Sequence, residues 1–67
     1  MNLSLLESKM KLFSDSYKEL AKYLKITPQS LSAKKNGGVD FKQCEIMKIK
    51  ERYKLTNEEL NNIFFAN

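Results

Sequence analysis

Residues 16–38 read SYKELAKYLKITPQSLSAKKNGG, and the reading of this stretch decides the fold. A helix opens at Ser16, stops near Leu24 and restarts near Pro28. The apolar positions Leu20, Ala21, Leu24, Ile26 and Leu31 fall where two short helices joined by a tight turn would pack on each other and on a core. Ala21 is small where the helices should cross closely. Ile26 plugs the turn into the core, and Leu31 anchors the second helix from below. Pro28, Gln29, Ser32 and Ala33 are then left on the outer face. The break lets one segment be packed and the next be presented.

Working outward, the helix starts are marked by side chains that can satisfy orphan amides. Ser4–Glu7, Ser16–Glu19 and Thr56–Glu59 have the Ser/Thr-x-x-Glu form of a capping box. Thr27-Pro28 supplies a cap followed by proline at the first helical position, and Asp40 supplies a cap after Gly37-Gly38. These signals predict helices at about 3–13, 16–24, 28–35, 41–53 and 57–65. Apolar stripes support four of them: Leu3, Leu6, Met10 and Phe13; Leu20, Ala21 and Leu24; Ile46, Ile49 and Tyr53; Leu60, Ile63 and Phe64. No segment alternates at period two, so the expected class is all-α. A chain of 67 residues predicts one domain.

Composition narrows the chemistry. There is no His, which removes the commonest general base and metal ligand. No Cys/His cluster suits zinc, and no nucleophile elbow or phosphate loop is present, so no catalytic residue, metal or cofactor is expected. The single Cys44 reads as a small, partly buried apolar side chain in a reducing cytoplasm. The first residues are broken by Glu7, Lys9 and Lys11, unlike a signal peptide, and no apolar run is long enough to span a membrane.

The net charge is +4 and unevenly spread. Residues 34–54 carry seven Lys/Arg against three acids, whereas residues 55–67 carry two Glu and no base. A basic middle points to a polyanionic partner.

The motif Tyr17-Lys-Glu-Leu-Ala-Lys-Tyr-Leu, then Ile26-Thr-Pro-Gln-Ser-Leu-Ser and Asn36-Gly37, resembles the Cro and phage-repressor helix-turn-helix family. So does the downstream Ile46…Ile49…Tyr53-Lys-Leu-Thr-Asn-Glu-Glu-Leu60. The resemblance covers residues 16–57. It implies a compact five-helix, lambda repressor-like domain over 1–67 that binds operator DNA as a dimer. Two features depart from the family pattern: Lys25 stands where a turn glycine is usual, and Lys34-Lys35 replace a common Glu. A left-handed non-glycine residue costs about 1 kcal/mol, so a strained turn is expected at Lys25.

The resemblance and the outward helix together assign roles. Base contacts are expected from Pro28, Gln29, Ser32 and Ala33. The Gln29 amide suits adenine and the Ala33 methyl suits thymine, whereas Pro28 offers no donor. Phosphate contacts are expected from Tyr17, Ser30, Lys34, Lys35, Asn36, Gly38 and Lys42, with Ser30 divided between contact and local capping. Ile63, Phe64 and Phe65 cannot all enter one small core, which suggests a dimer or partner interface. The expected function is a sequence-specific, double-stranded DNA-binding regulator in the manner of a phage Cro, working in the bacterial cytoplasm on the nucleoid. The alternative is a small modulator, an antirepressor or antitoxin, that binds a repressor or other protein partner.

Overall fold

Helix starts in this protein follow the side chains that can meet unpaired backbone amides. The computed structural model describes residues 2–65 and contains five helices there: α1 (Leu3–Leu12), α2 (Tyr17–Leu24), α3 (Pro28–Lys35), α4 (Gln43–Arg52) and α5 (Asn57–Phe64). No strand occurs among the described residues, so the chain is all-helical. None of these helices is long and apolar enough to cross a membrane.

Three starts behave as local chemistry dictates. Ser16 Oγ accepts from Glu19 N, Thr27 Oγ1 from Ser30 N, and Thr56 Oγ1 from Glu59 N. At α5 the box closes fully, because Glu59 accepts in turn from Thr56 N at 2.9 Å. At α2 a different carboxylate is used: Asp15 Oδ1, not Glu19, accepts from Ser16 N at 3.0 Å.

Two starts differ from expectation. Asn2, not Ser4, caps α1, its Oδ1 accepting from Leu5 N at 3.3 Å. The Asn2 amide donates to the Ile63 carbonyl at 2.7 Å, so a contact with α5 fixes where α1 begins. The fourth helix starts after Lys42 and not at Asp40, which is exposed. There Glu45 Oε1 accepts from Lys42 N at 2.8 Å.

The core gathers one face from each helix. It comprises Leu6 and Met10, Leu20, Ala21 and Leu24, Leu31, Ile49 with Tyr53 and Leu55, and Leu60 with Ile63. Tyr17, Ile26, Phe41, Ile46 and Phe64 pack around it half-buried. Phe13, expected on the inner stripe of α1, is exposed, with its ring edge-on to Tyr53 at 5.7 Å. Cys44, expected partly buried, is exposed.

A polar clamp joins the α1–α2 corner to the end of α4. Asp15 accepts from Arg52 Nε at 2.7 Å, Arg52 Nη2 at 3.0 Å and Tyr53 OH at 2.5 Å. The fork-like pairing with Arg52 holds the Asp15 carboxyl at about 2, with help from Tyr53 and Ser16 N against the effect of burial. Burial and the Asp15 carboxylate push the Tyr53 hydroxyl up.

Candidate nucleic-acid interface

The reading segment is built on the turn between α2 and α3. Lys25 adopts φ 60° and ψ 40°, the left-handed conformation expected of this position. Its amide donates to Lys22 O at 3.1 Å, and the Ile26 amide reaches back to Ala21 O at 3.0 Å. The turn is therefore closed by backbone hydrogen bonds although its left-handed residue carries a Cβ. Ile26 is half-buried against the core. Ala21 and Leu31 are buried.

The outer face of α3 follows from that anchoring. Pro28, Gln29 and Ser30 are exposed, and Ser32 and Ala33 are half-buried. Gln29 lies in helical register with Ser32 and Ala33, three and four residues on. Ser30 is engaged locally: its amide donates to Thr27 Oγ1 and its Oγ accepts from Thr27 at 3.0 Å.

Three of the expected phosphate contacts are placed otherwise. Lys34 is turned inward. Its Nζ donates to Glu45 Oε1 at 2.6 Å, and each side chain of the pair is 7% exposed. The reason is register: Lys34 lies three residues after Leu31, on the buried side of α3. Burial pushes the Glu45 carboxyl up, but the hydrogen bonds from Lys34 and Lys42 N outweigh it and hold the group below its ordinary value. Lys34 thus couples α3 to the start of α4 and does not add charge to the loop.

Gly38 also departs from expectation. Its amide donates to Ala33 O at 2.9 Å, while the Gly37 amide donates to Lys34 O at 3.2 Å. This pair of bonds is the Schellman closure of a helix. Gly37 takes φ +85°, where a side chain would be strained. The glycine amides are occupied in stopping α3 and are not left to hold an anion.

Tyr17 is the third. Its hydroxyl is buried and makes no hydrogen bond among the described residues. Burial first, and the nearby Glu7 carboxylate second, push its pKa up. The hydroxyl is therefore not offered to a phosphate. The ring, instead, carries Lys35, whose Nζ lies 4.0 Å from the ring centroid.

Of the other expected contacts, Lys42 and Asn36 are exposed and Lys35 is half-buried, and Lys18 and Lys22 also stand beside Pro28. Lys18 was missed in the sequence. The signal available was its place beside Tyr17 at the start of α2. Lys18 and Lys35 flank a groove of about 300 Å³ lined also by Tyr17, Pro28, Leu31 and Ser32.

The expected apolar interface is reduced. Ile63 is 1% exposed and belongs to the core, and Phe64 is half-buried with its ring edge-on to Phe41 at 5.5 Å. Only Phe65, 61% exposed, projects. It borders a cavity of about 410 Å³ with Val39, Phe41, Ile46 and Phe64.

In comparisons with known proteins, the chain matched no family model, no curated protein and no solved structure.

Proposed function

We propose that the chain is a sequence-specific DNA-binding regulator with a lambda repressor-like, helix-turn-helix arrangement, in which α2 supports and α3 reads. The observation that carries this reading is the division of α3 into two faces. Leu31 and Lys34 are buried on one side, and Pro28 and Gln29 stand exposed at the N-terminal end of the other, backed by Ser32 and Ala33. A helix held from beneath with short polar and apolar side chains outward suits the major groove, where its first turns meet base edges. Lys18 and Lys35 stand beside Pro28 and Ser32 of that face, and with the exposed Lys42 and Asn36 they would meet the phosphates. The regulator would act by occupying operator DNA in the bacterial cytoplasm, in the manner of Cro. Two copies would read half-sites about one helical turn apart. No chemistry is required of it.

The deciding experiment is selection of bound duplexes from a random pool at near-physiological salt with the full chain. Enrichment of a two-fold symmetric motif supports the reading. Recovery of duplexes without sequence preference refutes it.

A second reading rests on Phe65 and its cavity: a modulator, antirepressor or antitoxin that binds a partner protein. Under it, Gln29→Ala with Ser32→Ala would leave partner binding intact.

A further inference from the structure

The cavity of about 410 Å³ beside Phe65 pairs apolar walls with a buried cation. Its lining runs from the half-buried Phe41, Ile46 and Phe64 to the exposed Val39 and Phe65. Lys34 lines it too, and its Nζ lies 5.9 Å from the centroid of the Phe41 ring. An ammonium carries three donors. Glu45 Oε1 takes one of them at 2.6 Å, and no other side-chain acceptor meets Nζ among the described residues. Two N–H groups are therefore left beside an apolar hollow, on a side chain only 7% exposed. Buried donors without an acceptor are costly, so a guest that brings one is favoured there. The surrounding charges narrow the choice. An anion would meet the carboxylates of Glu45 and of Asp40, which also lines the cavity, and a cation would meet Lys34. A neutral molecule with one carbonyl oxygen and a flat apolar body suits both the spare donors and the aromatic walls.

We propose that this cavity binds a small, neutral aromatic carbonyl compound, whose oxygen accepts from Lys34 Nζ while its ring packs among Phe41, Phe64 and Phe65. The site shares no lining residue with the groove beside Pro28, and it does not depend on the DNA-binding reading. Its guest would bear on the pair that joins α3 to α4, because Lys34 belongs to both.

The test titrates the isotope-labelled full chain with acetophenone, benzoate and benzylammonium, which share one ring and differ in charge, and follows the amide chemical shifts. Acetophenone should move the amides of Gly37, Val39, Phe41, Ile46 and Phe64 to saturation and bind more tightly than either ion. In Lys34→Met with Glu45→Gln, its affinity should fall about tenfold, the worth of one hydrogen bond from a charged donor. Phe65→Ser, at an exposed position, should weaken all three probes and keep their order. The order is read on the parent chain and stands whether or not the double variant folds. Equal binding of the three probes, or no movement of those amides, overturns the proposal, as does an unchanged acetophenone affinity in the folded double variant. If the same amides move when the chain alone is concentrated, the cavity belongs to a second copy and the proposal falls.

Discussion

Lys34 Nζ and Glu45 Oε1 meet at 2.6 Å with both side chains withdrawn from water. The pair locks the back of α3 to the first turn of α4, because the same carboxylate oxygen also accepts from Lys42 N. Removing either partner leaves a buried charge without its counter-ion. Lys34→Met should destabilise the fold by about 3 kcal/mol, and Lys34→Met with Glu45→Gln should recover part of that loss. Urea denaturation of the two variants measures it. A single variant as stable as the parent would show that the charge reaches solvent.

Asp15 gives the fold an acid limit. Its carboxyl lies at about 2 in the folded chain against an ordinary 3.8. A depressed carboxylate stabilises above its unfolded value and loses that contribution as pH falls through the folded one. About 2 kcal/mol should therefore disappear between pH 4 and pH 2. Glu45, lowered as well, adds loss in the acid range. Asp15→Asn should lower stability at pH 7 and flatten the acid branch of a stability–pH curve from thermal melts. An unchanged slope in that variant would remove Asp15 from the account.

Lys25 is held left-handed with a Cβ that glycine lacks. Lys25→Gly should raise stability by somewhat under 1 kcal/mol, the relief of strain exceeding the added freedom of the unfolded chain. A lower Tm in the glycine variant would contradict this.

Gln29→Ala with Ser32→Ala should abolish preference for the selected duplex while leaving the fold intact, since Gln29 is exposed and Ser32 half-buried. Binding should weaken steeply with salt, because Lys18, Lys35 and Lys42 would displace counterions from phosphates. Fluorescence anisotropy across a salt series gives both readouts. An affinity flat in salt would exclude the basic flank as the DNA surface.

Phe65→Ser should weaken self-association or partner binding, given an exposed aromatic beside an aromatic-lined cavity. Sedimentation equilibrium is the check, and an unchanged mass distribution and partner affinity would dismiss the interface.

Much of the architecture is legible in the sequence, for a physical reason. Thr27-Pro28, Ser16 and Thr56 act on backbone amides within a few residues, so their effect depends on neighbours that the sequence displays. Asn2 and Lys42 act as caps because a distant segment or an internal carboxylate fixes them, and no local pattern declares that. For the candidate site, the exposure of Pro28 and Gln29 was legible from the position of Leu31. The same spacing argument, carried three residues further, would have turned Lys34 inward. Tyr17 was illegible in another way: a phenol offers a ring and a hydroxyl, and only packing against α1 decides which of them the surface receives.

The Asp15–Arg52 clamp spans 37 positions of the chain. Closing so long a loop carries an entropic cost that short helices do not meet when they form, so this contact should mature late on the route to the native state. Its loss in Asp15→Asn should then accelerate unfolding and leave the refolding rate nearly untouched. The lifetime of the arrangement that holds α2 in place would thus depend on a carboxylate whose partner lies 37 positions further along the chain.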